Sequence, residues 1–283
     1  MQSLVSRIAS KLAFFPPNPP SYLVKKHADN SGEEYIAPRS SAVRKVPDAA
    51  VIHLTTSRGC KIVAAWLPYN AKCRATMLFS HGNAVDLGLM LPFYREVARE
   101  LKVNLLGYDY SGYGGSDGEP SVLNSLADID ACYQWLTSVK GKQPKDIVLY
   151  GDASAMSPAQ TPGQSVGSGP TCYLGAKVPG LAGVILHSAL ATGMRVMNPT
   201  WTRWPSWLDV FPNIKLVSKI NAPTLIMHGV RDDVVDISAG RALHAAALNP
   251  VEPLWAQNCD HQNVESDPQY VTRLKDFIRQ VFK

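Results

Sequence analysis

The chain alternates between short, continuous apolar runs and longer stretches in which apolar residues recur at helical spacing. Runs such as TMLFS over 76–80 and TLIMH over 224–228 are typical of buried strands, and the stretches between them are typical of amphipathic helices. The pattern predicts, in order, strand 75–80, helix 87–101, strand 103–109, helix 121–139, strand 146–150, a helix after residue 165, strand 182–188, strand 223–229, helix 238–248, strand 252–258 and helix 268–281. Because strands alternate with helices, we expect an α/β fold with a mostly parallel central sheet and helices on both faces.

Two further segments add to this pattern. Strands 50–56 and 61–67 are predicted to form a hairpin that turns at Ser-Arg-Gly over 57–59. Region 190–220 breaks the alternation and is rich in large aromatic residues, including Trp201, Trp204 and Trp207 around Pro205. It either lies over the carboxyl edge of the sheet, where ligands of α/β folds bind, or packs as ordinary core.

Length and composition favour one hydrolase-sized domain. The chain has 283 residues, 46% of them apolar, which is ample for one large core. We assign residues 49–283 to this domain and residues 1–48 to an N-terminal amphipathic and Pro-rich segment. No apolar run approaches the eighteen residues of a membrane-spanning helix.

The cysteines and the net charge limit the cellular compartments and the classes of partner that suit this chain. The five cysteines are scattered without a C-x-x-C motif, and no secretory signal peptide is evident, which favours a reducing, cytoplasmic setting and argues against a zinc or disulfide framework. The net charge of +5 is modest and forms no Lys/Arg block. We therefore expect no nucleic-acid partner, whereas contact with an anionic membrane surface is compatible with the charge. We also expect no cofactor and no metal.

The segment GQSVG over 163–167 matches G-x-S-x-G, the motif of a nucleophilic serine on a sharp strand-to-helix turn. By itself the motif is weak, because glycine and serine are common in loops. Its interpretation depends on the residues downstream, since hydrolases of this type carry Ser, then an acid, then His in chain order. The sequence thus makes Ser165 a candidate nucleophile that needs two partners.

Both partners are present in the required order. Asp232 comes just after the apolar run 224–229, and His261 lies beyond the predicted strand 252–258. His261 would act as general base toward Ser165, and Asp232 would orient and stabilise the imidazolium. Asp233 is the competing carboxylate, which we interpret as a solvated turn residue.

An oxyanion hole is expected from the loop after strand 75–80, which reads HGNA over 81–84. The backbone N–H groups of Asn83 and Val166 are the candidate donors. The alternative is an ordinary turn, since Gly and Asn suit turns.

The chain resembles the α/β-hydrolase domain-containing 17 family, its plant and algal branch in particular. The matching stretches cover nearly the whole chain: KLAFFPPNPPSY over 11–22, SHGNAVDLG over 80–88, VNLLGYDYSGYG over 103–114, QSVGSGPT over 164–171, LHS over 186–188, RVM over 195–197, HG over 228–229, Asp232, and VD over 235–236. The resemblance implies an α/β-hydrolase fold, a serine hydrolase that removes fatty acyl groups from cysteine thioesters of membrane-associated proteins, and the triad Ser165, Asp232 and His261.

The N-terminus departs from the family pattern. Family members begin with S-acylated cysteines or with a glycine suited to myristoylation, whereas this chain begins MQSL and has no cysteine before Cys60. Residues 1–15 instead form a short basic amphipathic pattern. They would lie weakly on a membrane, serve as an organelle transit segment, or pack on the domain.

The second departure is a segment of small residues and prolines, DASAMSPAQTPG over 152–163, between strand 146–150 and Ser165. Joining Gly151 to Gln164 restores the family pattern. The segment is either a surface excursion in which Gly163 replaces Gly151, or the product of a gene-model error such as a retained intron, and we favour the error.

Three functions remain open from sequence. The first is a protein S-acyl (palmitoyl) thioesterase, and the second is a carboxylesterase or lipase, which would use the same acyl-enzyme chemistry. The third is a non-catalytic, hydrolase-like binding protein, should the inserted segment dislodge Ser165.

Overall fold

The computed structural model describes residues 13–28, 32–152, 166–193 and 211–283. Its centre is an eight-stranded sheet with the order β10-β9-β8-β7-β5-β6-β4-β3. The strands are β3 (Ala50–Thr55), β4 (Lys61–Leu67), β5 (Thr76–Ser80), β6 (Asn104–Tyr108), β7 (Ile147–Asp152), β8 (Gly183–His187), β9 (Thr224–Gly229) and β10 (Leu254–Ala256). From β10 to β6 neighbouring strands are parallel, while β4 pairs antiparallel with both β6 and β3.

Helices cover both faces of the sheet. They are α1 (Leu87–Leu101), α2 (Val122–Ser138), α3 (Ser168–Lys177), α4 (Asn213–Val217), α5 (Ile237–Ala246) and α6 (Tyr270–Val281). One apolar cluster includes Ile129 of α2 and Leu174 of α3, and a second includes Leu91 of α1 and Phe277 of α6. This two-sided burial explains why the central strands are apolar along their whole length. The predicted fold class is confirmed.

The structure contains the strands and helices that the apolar pattern predicts, with small shifts at their ends. The clearest shift is in β10, which is expected over 252–258 but spans only Leu254–Ala256. Its partner β9 ends at Gly229, opposite Ala256, so no strand remains to pair with residues beyond it.

The sequence pattern misses three elements. Strands β1 (Tyr22–Lys26) and β2 (Glu34–Pro38) form a separate antiparallel pair, and α4 is a helix of a single turn and a half. β1 has one buried residue and β2 has two, so their apolar signal is weak. Ahead of this pair, Ala13 and Phe14 are buried against the main core. Packing, one of three interpretations of the N-terminal segment, thus holds for these residues; residues 1–12 lie outside the described ranges.

Candidate active site

Two turns at the carboxyl edge of the sheet are held against each other by backbone hydrogen bonds. The Val230 N–H donates to the Ala256 carbonyl at 2.9 Å, and the Arg231 N–H donates to the Cys259 carbonyl at 2.9 Å. Gly229 permits this approach, because a Cβ atom there would lie 2.5 Å from the Cys259 carbonyl oxygen. The chain after β10 is thereby brought alongside the turn that comes after β9.

This approach joins the two partners expected for a nucleophilic serine. His261 Nδ1 lies 2.8 Å from Oδ2 of Asp232, and both residues are buried. The other carboxylate oxygen, Oδ1, accepts hydrogen bonds from the N–H groups of Val234 at 3.0 Å and Val235 at 2.7 Å. The carboxylate is therefore fixed in orientation and holds Nδ1 of the imidazole. Asp233, the competing acid, is exposed.

A second histidine, which sequence reasoning did not single out, contacts the same carboxylate. His228 Nε2 lies 3.2 Å from Asp232 Oδ2 and 2.7 Å from the Val235 carbonyl oxygen. Since both neighbours are acceptors, Nε2 carries a hydrogen. The sequence signal that could have found it is the four-residue spacing of His228 and Asp232 across the end of β9.

The charge state of Asp232 is set by these contacts. Burial acts to raise the pKa of this carboxyl, but hydrogen bonds from His228 and His261, together with the attraction of their charges, outweigh burial and hold the pKa well below its usual range. Asp232 is therefore an anion at neutral pH, as a group that stabilises an imidazolium must be.

Ser165 lies outside the described residues, and so do Trp201, Trp204, Pro205 and Trp207. The roles predicted for these residues therefore stay predictions. The chain is described on both sides of Ser165. Strand β7 runs through Gly151 and ends at Asp152, which lies opposite His187 of β8. The next described residue is Val166, which is buried just before α3.

The backbone around Gly167 is too tight for any side chain. A Cβ atom there would lie 2.1 Å from the Asp152 carbonyl oxygen, 2.4 Å from that of Ser80 and 2.7 Å from that of His81. The end of β7, the end of β5 and the start of α3 therefore meet at Gly167. This close approach gives the second glycine of G-x-S-x-G a physical reason.

The loop after β5 carries the other expected oxyanion donor. Asn83 is buried, and its side chain is bonded on both sides, donating from Nδ2 to the Ala13 carbonyl at 2.8 Å and accepting from the Tyr113 hydroxyl at 2.6 Å. The next residue, Ala84, has a φ of 58°, so the chain turns sharply there. Among the described residues, none accepts a hydrogen bond from the backbone N–H of Asn83.

A second polar cluster is formed by Asp152 and His187, which are buried, and by Glu265, which is partly exposed. His187 Nδ1 lies 3.5 Å from an Asp152 oxygen, 3.8 Å from a Glu265 oxygen and 3.1 Å from the Tyr150 hydroxyl. One ligand atom from each of the three lies within 4.8 Å of the others. Among the residues that the structure describes, this is the group whose spacing would suit a cation.

Known proteins match this chain over most of its length. It is 41% identical over 280 residues to alpha/beta hydrolase domain-containing protein 17B of Xenopus tropicalis, covering 97% of this chain and 91% of that protein. It is 40% identical to the 17B protein of Homo sapiens over the same shares, and 37% identical over 302 residues to the 17C protein of Mus musculus. The chain belongs to the alpha/beta hydrolase domain-containing protein 17 family. The resemblance inferred from its motifs is confirmed, whereas no family model matches the chain.

Solved structures agree on the fold. An esterase of Pyrococcus furiosus superposes with a TM-score of 0.64 at 18% identity, covering 82% of this chain and 92% of the esterase. The esterase domain of a Rhodothermus marinus protein gives 0.59 at 17% identity, covering 82% and 98%. The family and the fold together identify the chain as an enzyme of the α/β-hydrolase type.

Among the helices of the described residues, none is both long enough and apolar enough to cross a membrane.

Proposed function

We propose that the chain is a serine hydrolase that cleaves acyl thioesters or esters through an acyl-enzyme on Ser165, and that it acts as a protein S-acyl (palmitoyl) thioesterase. The observation that carries the proposal is the buried hydrogen bond of 2.8 Å between His261 Nδ1 and Asp232 Oδ2. A carboxylate that fixes one imidazole nitrogen leaves the other to exchange a proton with a hydroxyl nucleophile.

In the proposed reaction, Ser165 Oγ attacks the acyl carbonyl while its proton passes to His261 Nε2. The carbonyl oxygen becomes an oxyanion, which accepts hydrogen bonds from the N–H groups of Asn83 and Val166. The tetrahedral intermediate collapses, the carbon–sulfur or carbon–oxygen bond breaks, and His261 returns the proton to the departing thiol or alcohol. Water then attacks the acyl-enzyme by the same route and releases the fatty acid.

Support for each donor comes from a different element. Val166 immediately follows Ser165 and precedes α3, whose start is held against β5 and β7 at Gly167. Asn83 stands in the loop after β5, and its N–H is unengaged within the described ranges. Preorganised donors of this kind are typically worth about 2.7–4 kcal/mol of barrier each.

The substrate class is inferred from the family resemblance. A fatty acyl thioester on a membrane-associated protein is the substrate that the resemblance implies, and the net charge of +5 is compatible with an anionic lipid surface. We further propose that residues 1–15 contact an anionic membrane surface weakly and reversibly, because their basic amphipathic pattern is short. Flotation with anionic liposomes tests this, and binding that survives high salt would contradict it.

Labelling with a fluorophosphonate probe tests the proposed nucleophile. The unaltered chain should label and turn over, Ser165→Ala should do neither, and Ser154→Ala, which removes a serine of the inserted segment, should behave like the unaltered chain. Asp232→Asn and His261→Ala should lose most activity, whereas Asp233→Asn should lose little because Asp233 is exposed. Absence of labelling in the folded, unaltered chain would favour a non-catalytic binding protein.

A substrate panel separates the thioesterase from an esterase. Turnover of an S-palmitoylated peptide should exceed that of the matched O-palmitoyl serine peptide and of short-chain nitrophenyl esters. Faster turnover of the oxygen esters, with labelling still dependent on Ser165, would assign a carboxylesterase or lipase activity instead.

A further inference from the structure

The segment over residues 13–22, which we name the N-terminal strap, is hydrogen-bonded at both of its ends to the loop after β5. At one end, Asn83 Nδ2 donates to the Ala13 carbonyl at 2.8 Å, and the Phe15 N–H donates to Asn83 Oδ1 at 2.9 Å. At the other end, the Ser21 N–H donates to Asp86 Oδ2 at 2.7 Å, and the Ser21 hydroxyl bonds to the other oxygen of that carboxylate. The strap is therefore bonded to this loop at two places, Asn83 and Asp86.

These contacts hold the Asn83 amide through both its oxygen and its nitrogen. Its oxygen also accepts from the Tyr113 hydroxyl at 2.6 Å, and the Tyr113 hydroxyl in turn accepts from the Phe15 N–H at 3.0 Å. Asn83 is 1% exposed. A buried amide with partners on both sides cannot rotate without breaking hydrogen bonds, so the strap fixes this residue in one orientation.

Phe14 of the strap packs between two further rings. It meets Tyr113 edge-on at a centroid distance of 6.4 Å and Phe211 at 6.2 Å. Phe211 lies directly on α3, because a Cβ atom at Gly169 would be 2.1 Å from its ring. The strap thus contacts the Asn83 loop directly and α3, which comes just after Val166, through a single ring.

The far end of the strap is bonded to the start of α1. The Tyr22 hydroxyl donates to Asp109 Oδ2 at 2.5 Å, and Asp109 Oδ1 accepts from the Leu87 N–H at 2.9 Å. Asp86 caps α1 through the Leu89 N–H and also holds Ser21. The start of α1 is therefore bonded to the strap through two buried carboxylates, those of Asp86 and Asp109.

We propose that the N-terminal strap is a positioning element of the oxyanion hole, and that Asn83 is its latch. An oxyanion donor is effective only when its N–H already points to the place where charge develops, and an error of about 1 Å can cost on the order of a hundredfold in rate. Here the side chain of Asn83 is bonded to Ala13 and Phe15, while no hydrogen bond to another described residue engages its backbone N–H. The inference rests on the proposed function, because it needs an oxyanion at that N–H.

Two single variants each remove one kind of contact between the strap and the loop. Asn83→Ala keeps the backbone N–H and loses the latch, whereas Phe14→Ala keeps the backbone hydrogen bonds and loses the ring. Each should lower kcat on a thioester by about tenfold to a hundredfold, leave KM within about twofold, and slow fluorophosphonate labelling in parallel, since the phosphonyl oxygen uses the same donors. Leu23→Ala, at an exposed leucine just beyond the strap, is the matched control and should change none of these values.

A double variant separates positioning from independent effects. If Asn83 and Phe14 act through one strap, the double variant should lose no more than the worse single variant. Urea unfolding of each form shows that the kcat is measured on folded protein. Should either single variant fail to fold, Tyr113→Phe removes just the hydroxyl that bonds Asn83 and should lower kcat in the same direction.

Unchanged kcat in folded Asn83→Ala and Phe14→Ala, with Ser165→Ala inactive, would overturn the strap and leave the proposed function standing. Losses that multiply in the double variant would also overturn it, because two independent sites would then be at work. No turnover by the unaltered, folded chain would overturn the proposed function and the strap together.

Discussion

The Nε2 atom of His228 lies 3.2 Å from Oδ2 of Asp232, the same oxygen that meets His261. The two histidines therefore hold one carboxylate oxygen from different sides, one from β9 and one from the turn after β10. Gly240 of α5 packs directly on the His228 ring, since a Cβ atom there would lie 2.8 Å from Nδ1. The geometry makes His228 a positioning residue for the proposed acid.

The first prediction concerns this contact. His228→Leu removes a hydrogen bond to a charged, buried group, which is typically worth about 1.5–3 kcal/mol, and should lower kcat about tenfold or more with little change in KM. His228→Gln keeps an N–H donor near the same place and should recover part of the loss. Steady-state kinetics on a thioester checks both, with urea unfolding to confirm that each is folded. Equal activity of the leucine variant and the unaltered chain would contradict the role of His228.

The second prediction concerns Gly167. In Gly167→Ala the added methyl group meets three backbone carbonyl oxygens at 2.7 Å or less, none of which can move without shifting β5 or β7. We expect a loss of stability of about 1–3 kcal/mol, as is typical of overpacking, together with loss of turnover. Gly175→Ala, in the helix that begins just after Gly167, is the control, since the nearest neighbour of Gly175 is the flexible end of Ile220 at 3.0 Å. Thermal melting of both variants tests this, and Gly167→Ala should melt at the lower temperature. Similar melting temperatures would show that the structure relieves the crowding at Gly167.

The third prediction is a pH dependence from a carboxyl outside the candidate site. Burial in α2 raises the pKa of Asp128 to about 7, although hydrogen bonds from the Ser111 N–H and hydroxyl act to lower it. The unfolded value is about 3.9, so the folded state binds the proton more tightly and stability is lost as pH rises from about 4 to about 7. The slope from one such group is at most about 1.4 kcal/mol per pH unit.

Asp128→Asn cannot titrate and should flatten this decline. Urea unfolding of both forms at pH 5 and pH 8 measures it, and the difference between the forms cancels the other titrating groups. A variant whose stability falls with pH as steeply as that of the unaltered chain would show that Asp128 is not the source.

The central sheet was predictable because its strands are apolar on both faces. A continuous apolar run such as TLIMH over 224–228 is typical of a parallel strand that helices bury on both faces. Strands β9 and β5 lie within a residue of their expected bounds. The β1–β2 pair was not predictable on the same basis, since most of its residues are at least partly exposed. Its place is fixed by long-range contacts, such as that of the Tyr22 hydroxyl with Asp109, which no local pattern encodes.

For the candidate site, chain order and strand ends were enough to bring Asp232 to His261. Asp233, which the sequence predicts to be a solvated turn residue, is exposed in the structure. It did not indicate that His228 shares the carboxylate or that Asn83 is held by residues 13 and 15, because both relationships depend on packing between elements distant in the chain. Ser165 remains a prediction from its motif.

The last prediction concerns the segment over residues 152–163. Asp152 is the final residue of β7 and lies opposite His187, so removing 152–163 would bring Gln164 to that register position directly before Ser165. Loop closure is not the main issue, since each doubling of loop length costs just about 0.6 kcal/mol, but a nucleophile displaced by about 1 Å can lose on the order of a hundredfold in rate. We therefore expect the shortened chain to be at least as stable as the full chain and more active. Thermal melting and thioester turnover of the purified forms provide the comparison, and Asp152→Gln in the full chain separates the loss of a buried carboxylate from the loss of length. If the shortened chain is no more active than the full one, the segment belongs to the enzyme, and its interpretation as a gene-model error is wrong.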